Sequence, residues 1–384
     1  MPNFPQKLEK KLQKRRADNA FRELPKKESL VDFSSNDYLG LAKCEEISEN
    51  AKKFIEQSGI GKHGATGSRL LSGNHKLYHK LESFLCAHYT AEAALVFNSG
   101  YDANIGFFSS VPQKGDLIFY DELIHASIRE GISMSYAKSY KFAHNDLESL
   151  KNKVKTIRSD ASEGSECEVY VVTESVFSMD GDSPNLKSFA DFCSKENFHL
   201  VVDEAHALGV FGKGLVDIVG ISNAVFARIL TFGKALGYHG SAILGSKPLK
   251  DYLVNFARSL IYTTAMPPDA LAMILGSYSF LEEERSKRQE QLHSNIHFFK
   301  KEVRRLELSV RFLESESAIH CMLLPGNDNV KELSQMLEEK GYDVKPILSP
   351  TVKKGEERLR FCLHSYNSKE EITSLLSHIK EHLN

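Results

Sequence analysis

The sequence predicts an α/β protein with a large domain on a mainly parallel sheet with helices on both faces, a small α+β C-terminal domain and an N-terminal arm. Three observations carry this expectation. Short apolar runs with little polar alternation recur through the middle of the chain, the pattern of strands buried on both faces. Helix-like segments separate several of these runs, the rhythm of parallel strands joined by right-handed crossovers. Beyond about residue 280 the pattern changes to a long charged amphipathic stretch, followed by strand, helix, strand and helix.

Taken in order, residues 1–45 form the arm. The opening "MPNFPQKLEKKLQKRRADNAFRELPKK" is basic but carries acids and has no apolar core, so it reads as neither a signal nor a transit peptide. An amphipathic helix is expected there, with Leu8, Leu12 and Phe21 as its contacts. Residues 46–285 form the large domain. Its strand candidates are "AALVFN" (93–98), "DLIFYD" (116–121), "EVYVVTES" (168–175), "HLVVDEAH" (199–206), "ARILTF" (227–232) and "SAILG" (241–245). "NLKSFADFCSKENF" (185–198) is a connecting helix, and "SDASEGSEC" (159–167) a polar surface loop. Residues 286–384 form the small domain, entered through the helical stretch 278–306, read as one long helix or a helix pair.

Charge and cysteine usage narrow the function classes. Lys+Arg number 49 against 51 Asp+Glu, a net charge of -2, which leaves no electrostatic footprint for nucleic acid or an anionic membrane. No apolar run approaches the ~20 residues that span a bilayer. The six cysteines are scattered, with no CxxC pair, as expected of reduced thiols in a cytoplasmic protein.

The polar residues that could do chemistry sit at or just past the ends of the apolar runs. They are Asn98, Ser99, Gly100 and Tyr101, then His125, then Glu174, Ser175 and Ser178, then Asp203 and His206, and finally Thr231 and Lys234. A parallel sheet gathers such positions along one edge, where ligands bind. A buried carboxylate there can hold a protonated ring nitrogen. A lysine flanked by glycines has room to form a Schiff base, and desolvation would lower its pKa toward nucleophilicity. "NSGY" opening a helix offers backbone N–H groups to a phosphate, with hydroxyls at Thr231 and Ser178 to add to them. The flat imidazole of His125 could stack on a ring. Together these are the protein's share of pyridoxal phosphate chemistry.

Competing motifs fail on context. "DEAH" also names a helicase box, but the Gly-Lys pairs continue to His63, Gly214 and Ala235, never to the Ser or Thr of a P-loop. "GIGKHG" (59–64) follows a helix-like segment and not a strand, which argues against a dinucleotide site. His75 and His79 are spaced i, i+4 but lack the Glu of H-E-x-x-H, so no metal is expected. Arg358 and Arg360 share one face of a strand, and one of them could be a surface ion-pair partner.

The chain resembles the α-oxoamine synthase family of fold-type-I pyridoxal-phosphate enzymes. The resemblance runs in order through "FSSNDYLGL" (33–41), "GATGSRLLSGNHKLYHKLE" (64–82), "FNSGYDAN" (97–104), "DELIHASI" (121–128), "TESVFSMDGD" (173–182), "VVDEAHALGVFG" (201–212), "TFGKALG" (231–237), "IYTTAMPP" (261–268) and "GEERLRFCL" (355–363). It implies a seven-stranded-type sheet in the large domain and pyridoxal 5'-phosphate as cofactor. Lys234 matches the Schiff-base lysine, also the base for the α-proton; Asp203 matches the partner of the ring nitrogen, and His206 the neighbour of the phenolic oxygen. His125 matches the stacking imidazole. Ser178 and Thr231 match ring-side and phosphate-side hydroxyls, and Ser99, Gly100 and Tyr101 the phosphate turn, with Glu174 beside the cofactor. Thr263 and Thr264 match residues that reach a phosphate across a homodimer interface. Arg22, Asn36 and Arg360 match positions near the substrate carboxylate.

The activity implied is decarboxylative condensation of an amino acid with an acyl thioester, on coenzyme A or acyl carrier protein. "TGSRLLSGNH" and "IYTTAMPP" lean toward the branch that joins L-alanine to a pimeloyl group for biotin synthesis. Glycine C-acetyltransferase, 5-aminolevulinate synthase and serine palmitoyltransferase chemistry are alternatives; transamination and a non-catalytic scaffold are more distant ones. The chain departs from the family in its glycine-rich turn, "GIGKHGATGSR", where Lys62 and His63 add bulk and charge on the acyl-donor side, and at Ser241, often glycine.

Overall fold

In the computed structural model, which describes residues 4–24, 29–159 and 167–384, the strands in chain order are β1 (Val31–Asp32), β2 (Ala93–Phe97), β3 (Leu117–Asp121), β4 (Lys138–Phe142), β5 (Val169–Glu174), β6 (His199–Asp203), β7 (Val225–Thr231), β8 (Ser241–Gly245), β9 (Ile319–Leu323), β10 (Tyr342–Asp343), β11 (Lys345–Ile347) and β12 (Arg358–Cys362). Seven of them make one sheet in the order β2-β8-β7-β6-β5-β3-β4. The pairs from β4 across to β7 are parallel, while β8 runs antiparallel to both β7 and β2. The mainly parallel sheet is therefore as expected.

The reason lies in the residues. Every position of β5 is buried, and alternate side chains leave in opposite directions. Tyr170 and Val172 join an apolar cluster with Phe107, Ile128 and Leu253, whereas Val169 and Val171 join another with Phe119, Phe189 and Leu200. Both faces are thus covered, at about 1.5–3 kcal/mol for each large aliphatic side chain removed from water. The connecting helix Leu186–Glu196 starts where Asn185 accepts the Ser188 N–H (3.1 Å) and stops at left-handed Asn197, φ 56°. "HLVVDEAH" leaves the strand earlier than its apolar run suggests: β6 ends at Asp203, and a turn follows in which the Ala207 N–H donates to the Glu204 carbonyl (3.1 Å).

One strand of the sheet is absent from the sequence reading. β4, "KSYKF", carries lysines and is mostly exposed; it is one of the sheet's two edge strands, and its charges discourage further pairing.

Packing divides the chain into two units. One takes in Asn36–Ser178 and Asp182–Glu290 and holds the seven-stranded sheet. The other takes in the described residues of Met1–Ser35, together with Met179–Gly181 and Gln291–Asn384. In this second unit β12 lies between β11 and β9 in an antiparallel sheet, and β1 pairs in parallel with β10 (Val31↔Tyr342). That long-range pair ties the end of the arm to the C-terminal segment. The stretch read as one helix or two is a single helix, Pro268–Arg305.

Two expectations need correction or restriction. The arm helix Gln6–Ala17 buries none of its residues, and Leu8 is exposed instead of acting as a contact. "KLEKKLQKRR" is too charged to present an apolar stripe, and Phe21 packs instead under the Arg16 guanidinium, 4.5 Å from the ring centroid. The polar segment 159–167 lies outside the described residues except at its two ends.

Candidate active site

Strand register assembles the site in the larger unit. β5 and β6 are parallel and end together, so Glu174 is the direct partner of Asp203, and Asp203 is in turn opposite Ile229 of β7. Two residues beyond Ile229, Thr231 closes β7, and Lys234 follows in the next turn. That turn is pinned by its backbone: the Gly237 N–H donates to the Lys234 carbonyl (2.7 Å) and the Tyr238 N–H to the Phe232 carbonyl (2.9 Å).

The glycines here serve the backbone. Gly237 has φ +66°, and a Cβ on it would lie 2.4 Å from Ala42 N, so the turn and the close approach both require glycine. A Cβ on Gly233 would meet nothing closer than 3.7 Å. Freedom of the amine therefore comes from its own four-carbon stem.

The Lys234 Nζ lies 2.6 Å from His206 Nε2, and the other ring nitrogen, Nδ1, lies 2.6 Å from the Tyr38 hydroxyl. Tyr38, fully buried, donates its proton to Asn36 Oδ1 (3.1 Å) and so accepts from His206 Nδ1. An Nε2 lone pair is then left for the lysine amine. Asp203 is held on both oxygens: Oδ1 accepts the Ala205 N–H (2.9 Å) and Oδ2 accepts from Asn104 Nδ2 (3.0 Å).

His125 caps the helix Ala126–Ser133, and its own backbone N–H donates to the Glu174 carboxylate. Its Nδ1 lies 2.7 Å from Ser127 Oγ. Desolvation lowers the His125 pKa, the Asp203 charge opposes the shift and the Lys234 charge adds to it. Burial first, and then the charge of Asp203, pushes the Glu174 carboxyl up to about 8, against Lys234 and the His125 N–H.

The remaining expected residues fall as follows. Ser99 caps the helix Gly100–Ser110 by accepting the Asp102 N–H, and a Cβ on Gly100 would lie 3.5 Å from Thr231 Oγ1, so the helix N-terminus and the Thr231 hydroxyl are neighbours. The Tyr101 hydroxyl donates to Glu130. Asn98 Nδ2 donates to Thr263 Oγ1 (3.2 Å) and to the Thr264 carbonyl (2.8 Å), tying that segment to the same helix start. Ser178 is buried in the turn after β5. Arg360 and Arg22 belong to the smaller unit: Arg360 is buried on β12 and donates to Cys362 Sγ (2.9 Å), and exposed Arg22 donates to Thr351 Oγ1 (3.0 Å). Lys62 and His63 are exposed and add no interior bulk; His63 faces Asp269 at 3.6 Å. Ser241 is buried and donates to the Leu230 carbonyl.

Sequence reading missed Tyr38, Asn104 and Ser127. The signal for Asn104 was its place four residues after Gly100, on the same helix face. Tyr38 and Ser127 lie inside quoted motifs but declare no chemistry of their own.

The donor set fits pyridoxal phosphate. A helix start leaves backbone N–H groups for an anion, beside the Thr231 hydroxyl. The buried Asp203 carboxyl, register-paired with Glu174, suits a protonated ring nitrogen. The amine and imidazole of Lys234 and His206 stand on the adjoining strand ends.

Fold and site together define the class of fold-type-I pyridoxal-phosphate enzymes. Residues 28–379 match the family model described as aminotransferase class I and II. The chain is 40% identical over 366 residues to the 8-amino-7-oxononanoate synthase of Emericella nidulans, covering 91% of this chain and 89% of that protein. It is 35% identical over 386 residues to a putative 8-amino-7-oxononanoate synthase of Methanococcus vannielii, covering 98% of each. Among solved structures, a Sphingomonas wittichii serine palmitoyltransferase superposes with a TM-score of 0.83 at 27% identity over 92% of this chain and 86% of that one. The 8-amino-7-oxononanoate synthase of Francisella tularensis gives 0.74 at 28% identity over 93% and 98%. The chain belongs to the class I and II aminotransferase family and, within it, to the α-oxoamine synthases.

Proposed function

We propose that the protein is a pyridoxal-phosphate-dependent C-acyltransferase of the 8-amino-7-oxononanoate synthase type. It condenses L-alanine with a pimeloyl thioester, carried on coenzyme A or acyl carrier protein, and releases CO2 and thiol on the route to biotin. The observation that carries this reading is the Lys234 amine 2.6 Å from His206, at the sheet edge that also holds Asp203, in a chain 40% identical to a relative of that name.

Pyridoxal phosphate, when bound, supplies an electron sink for a carbanion at the amino acid's α-carbon. Asp203 would pair with the protonated ring nitrogen, His125, anchored through Glu174, would stack on the ring, and His206 would stand by the phenolic oxygen. Ser178 adds a ring-side hydroxyl. The Ser99–Tyr101 turn and Thr231 would receive the phosphate, with Thr263 and Thr264 contributing to the partner protomer's site. Asn36, Arg22 and Arg360 take the amino acid's carboxylate.

Lys234 removes the α-proton, and His206 is within reach to share it. The α-carbon then bonds to the thioester carbonyl carbon, the C–S bond breaks, and the leaving thiolate takes a proton from solvent to give the free thiol. Loss of the carboxylate as CO2 follows, and Lys234 returns a proton to the α-carbon.

A homodimer is part of this reading. Leu71 and Tyr262 are 84% and 76% exposed in the single chain. They flank two segments joined where the Ala265 N–H donates to the Gly67 carbonyl (3.0 Å), which supports a partner covering them. A cytoplasmic location is carried with it, supported by six free cysteines; no helix among the described residues is long and apolar enough to cross a membrane.

The likeness to serine palmitoyltransferase favours a second reading, with serine and a long acyl thioester as substrates. A matrix of amino acids against acyl thioesters, read by thiol release, separates the two. Preference for alanine with pimeloyl thioester supports the first; preference for serine or glycine, or amino-group exchange with a 2-oxo acid and no thiol, overturns it.

A further inference from the structure

Asn104 is buried, 3% exposed, and its Nδ2 sits 3.0 Å from Asp203 Oδ2 and 3.0 Å from Ser127 Oγ. Both neighbours accept, and one is a carboxylate, so the amide nitrogen must point toward them; turned over, Oδ1 would face a like charge. The amide oxygen is left buried with no hydrogen-bond partner. A buried asparagine that leaves its oxygen unmatched is held by what its nitrogen does.

Ser127 is 1% exposed. Having accepted from Asn104, its hydroxyl has its own proton to give, and His125 Nδ1 is 2.7 Å away. The Ser127 backbone N–H also points at Nδ1, at 3.2 Å. With two donors converging on it, Nδ1 is an acceptor, and the imidazole carries its proton on Nε2.

Packing makes this arrangement stiff. Asn104 lies on the helix Gly100–Ser110 and Ser127 on the helix Ala126–Ser133. The two helices approach at Gly131, where an added Cβ would lie 2.8 Å from the Phe108 Cβ and 2.9 Å from the Asn104 carbonyl oxygen. No larger residue lets them come so close.

We propose that Asn104 and Ser127 are positioning residues that lock Asp203 and His125 into one hydrogen-bonded unit, so that the acid below the cofactor's ring nitrogen and the imidazole against the ring's face keep a fixed relative geometry. The chain runs Asn104 Nδ2–H to Asp203 and to Ser127, then Ser127 Oγ–H to His125. This rests on the assignment of Asp203 and His125 to pyridoxal phosphate made above. The consequence is that ring placement and ring protonation are set together, by a residue on the same helix that starts the phosphate turn.

The first test uses the apoprotein and needs no variant. Ring-nitrogen NMR shifts of 15N-labelled histidine should show His125 as the Nε2–H tautomer; an Nδ1–H tautomer overturns the proposal. The second test titrates pyridoxal phosphate by absorbance into Asn104→Ala, Asp203→Asn and the double variant, and follows deuterium exchange at the α-carbon of alanine in the loaded enzymes. A hydrogen bond to a charged group predicts roughly 10- to 100-fold weaker cofactor affinity for Asn104→Ala. In the Asp203→Asn background the same change should cost about 2-fold or less, because the charge it serves is gone. Equal losses in both backgrounds, or no loss in either, overturn the proposal. Ser127→Ala, a smaller excision, should weaken affinity by about 10-fold if Asn104→Ala does not fold, and unchanged affinity there also overturns it. A wild-type chain that takes up no pyridoxal phosphate would remove the cofactor assignment itself, which separates that failure from this one.

Discussion

The Lys234 amine and His206 form a hydrogen-bonded pair, Nζ to Nε2 at 2.6 Å, and Tyr38 closes the far side of the imidazole at 2.6 Å. Because the Tyr38 proton goes to Asn36, His206 Nδ1 is the donor to Tyr38 and Nε2 the acceptor from the lysine. The imidazole thereby accepts a hydrogen bond from the amine it faces.

Removing the Tyr38 hydroxyl should therefore be felt. Tyr38→Phe keeps the buried ring but takes away the Nδ1 acceptor, and we expect a loss of about 1–3 kcal/mol of stability. Chemical denaturation of the apoprotein checks this; a variant as stable as the wild type would contradict a stabilising hydrogen bond between Tyr38 and His206.

Lys234→Ala should abolish the visible absorbance of lysine-linked cofactor and lower turnover by about 100-fold or more, the contribution of a positioned proton-transfer group. Absorbance of the reconstituted variant and its rate of thiol release are the measurements. An unchanged band would show that another amine carries the cofactor.

Glu174 gives the fold a pH dependence. Its carboxyl is raised on folding from 4.5 to about 8, by burial first and then by Asp203, so the folded state binds the proton more tightly than the unfolded chain. Its contribution is full below pH 4.5 and is lost as the pH rises through about 8. Glu174→Gln, neutral throughout, should flatten that part of the apoprotein's stability-against-pH curve. Identical slopes for the two proteins between those pH values would contradict the shift.

Gly237→Ala should destabilise by about 1–3 kcal/mol, since alanine is strained at φ +66° and its Cβ would collide with the backbone of Leu41 and Ala42. A thermal melt reads the effect. A variant with unchanged Tm would mean that the turn after Lys234 relaxes freely.

Much of this site was legible in the sequence for one physical reason. In a parallel sheet the strands buried on both faces are apolar runs, and the polar residues that end them must share an edge; Glu174, Asp203, Thr231 and Lys234 were found that way. β4 was not, because its exposed lysines hide the apolar pattern that the other edge strand, β2, keeps. Nor was the pairing of Val31 with Tyr342, since nothing local in either segment records a partner so far along the chain. Ser127 was invisible for a related reason, and Asn104 offered only its spacing from Gly100. Their meaning lies in side-chain bonds to Asp203 and His125, and these exist only once two helices have packed through Gly131. The arm helix was read as amphipathic from three apolar residues, yet its charge density leaves Leu8 exposed. The glycines of "TFGKALG" were read as room for the amine, whereas Gly237 is required by the backbone.

The most direct test of the central claim is a stoichiometry. Purified holoenzyme is given L-alanine labelled at the carboxyl carbon and pimeloyl thioester, and labelled CO2 and free thiol are counted together. The account predicts one CO2 for each thiol released and dependence of both on Lys234. Thiol without CO2, CO2 without thiol, or amino transfer to a 2-oxo acid with neither, would contradict it.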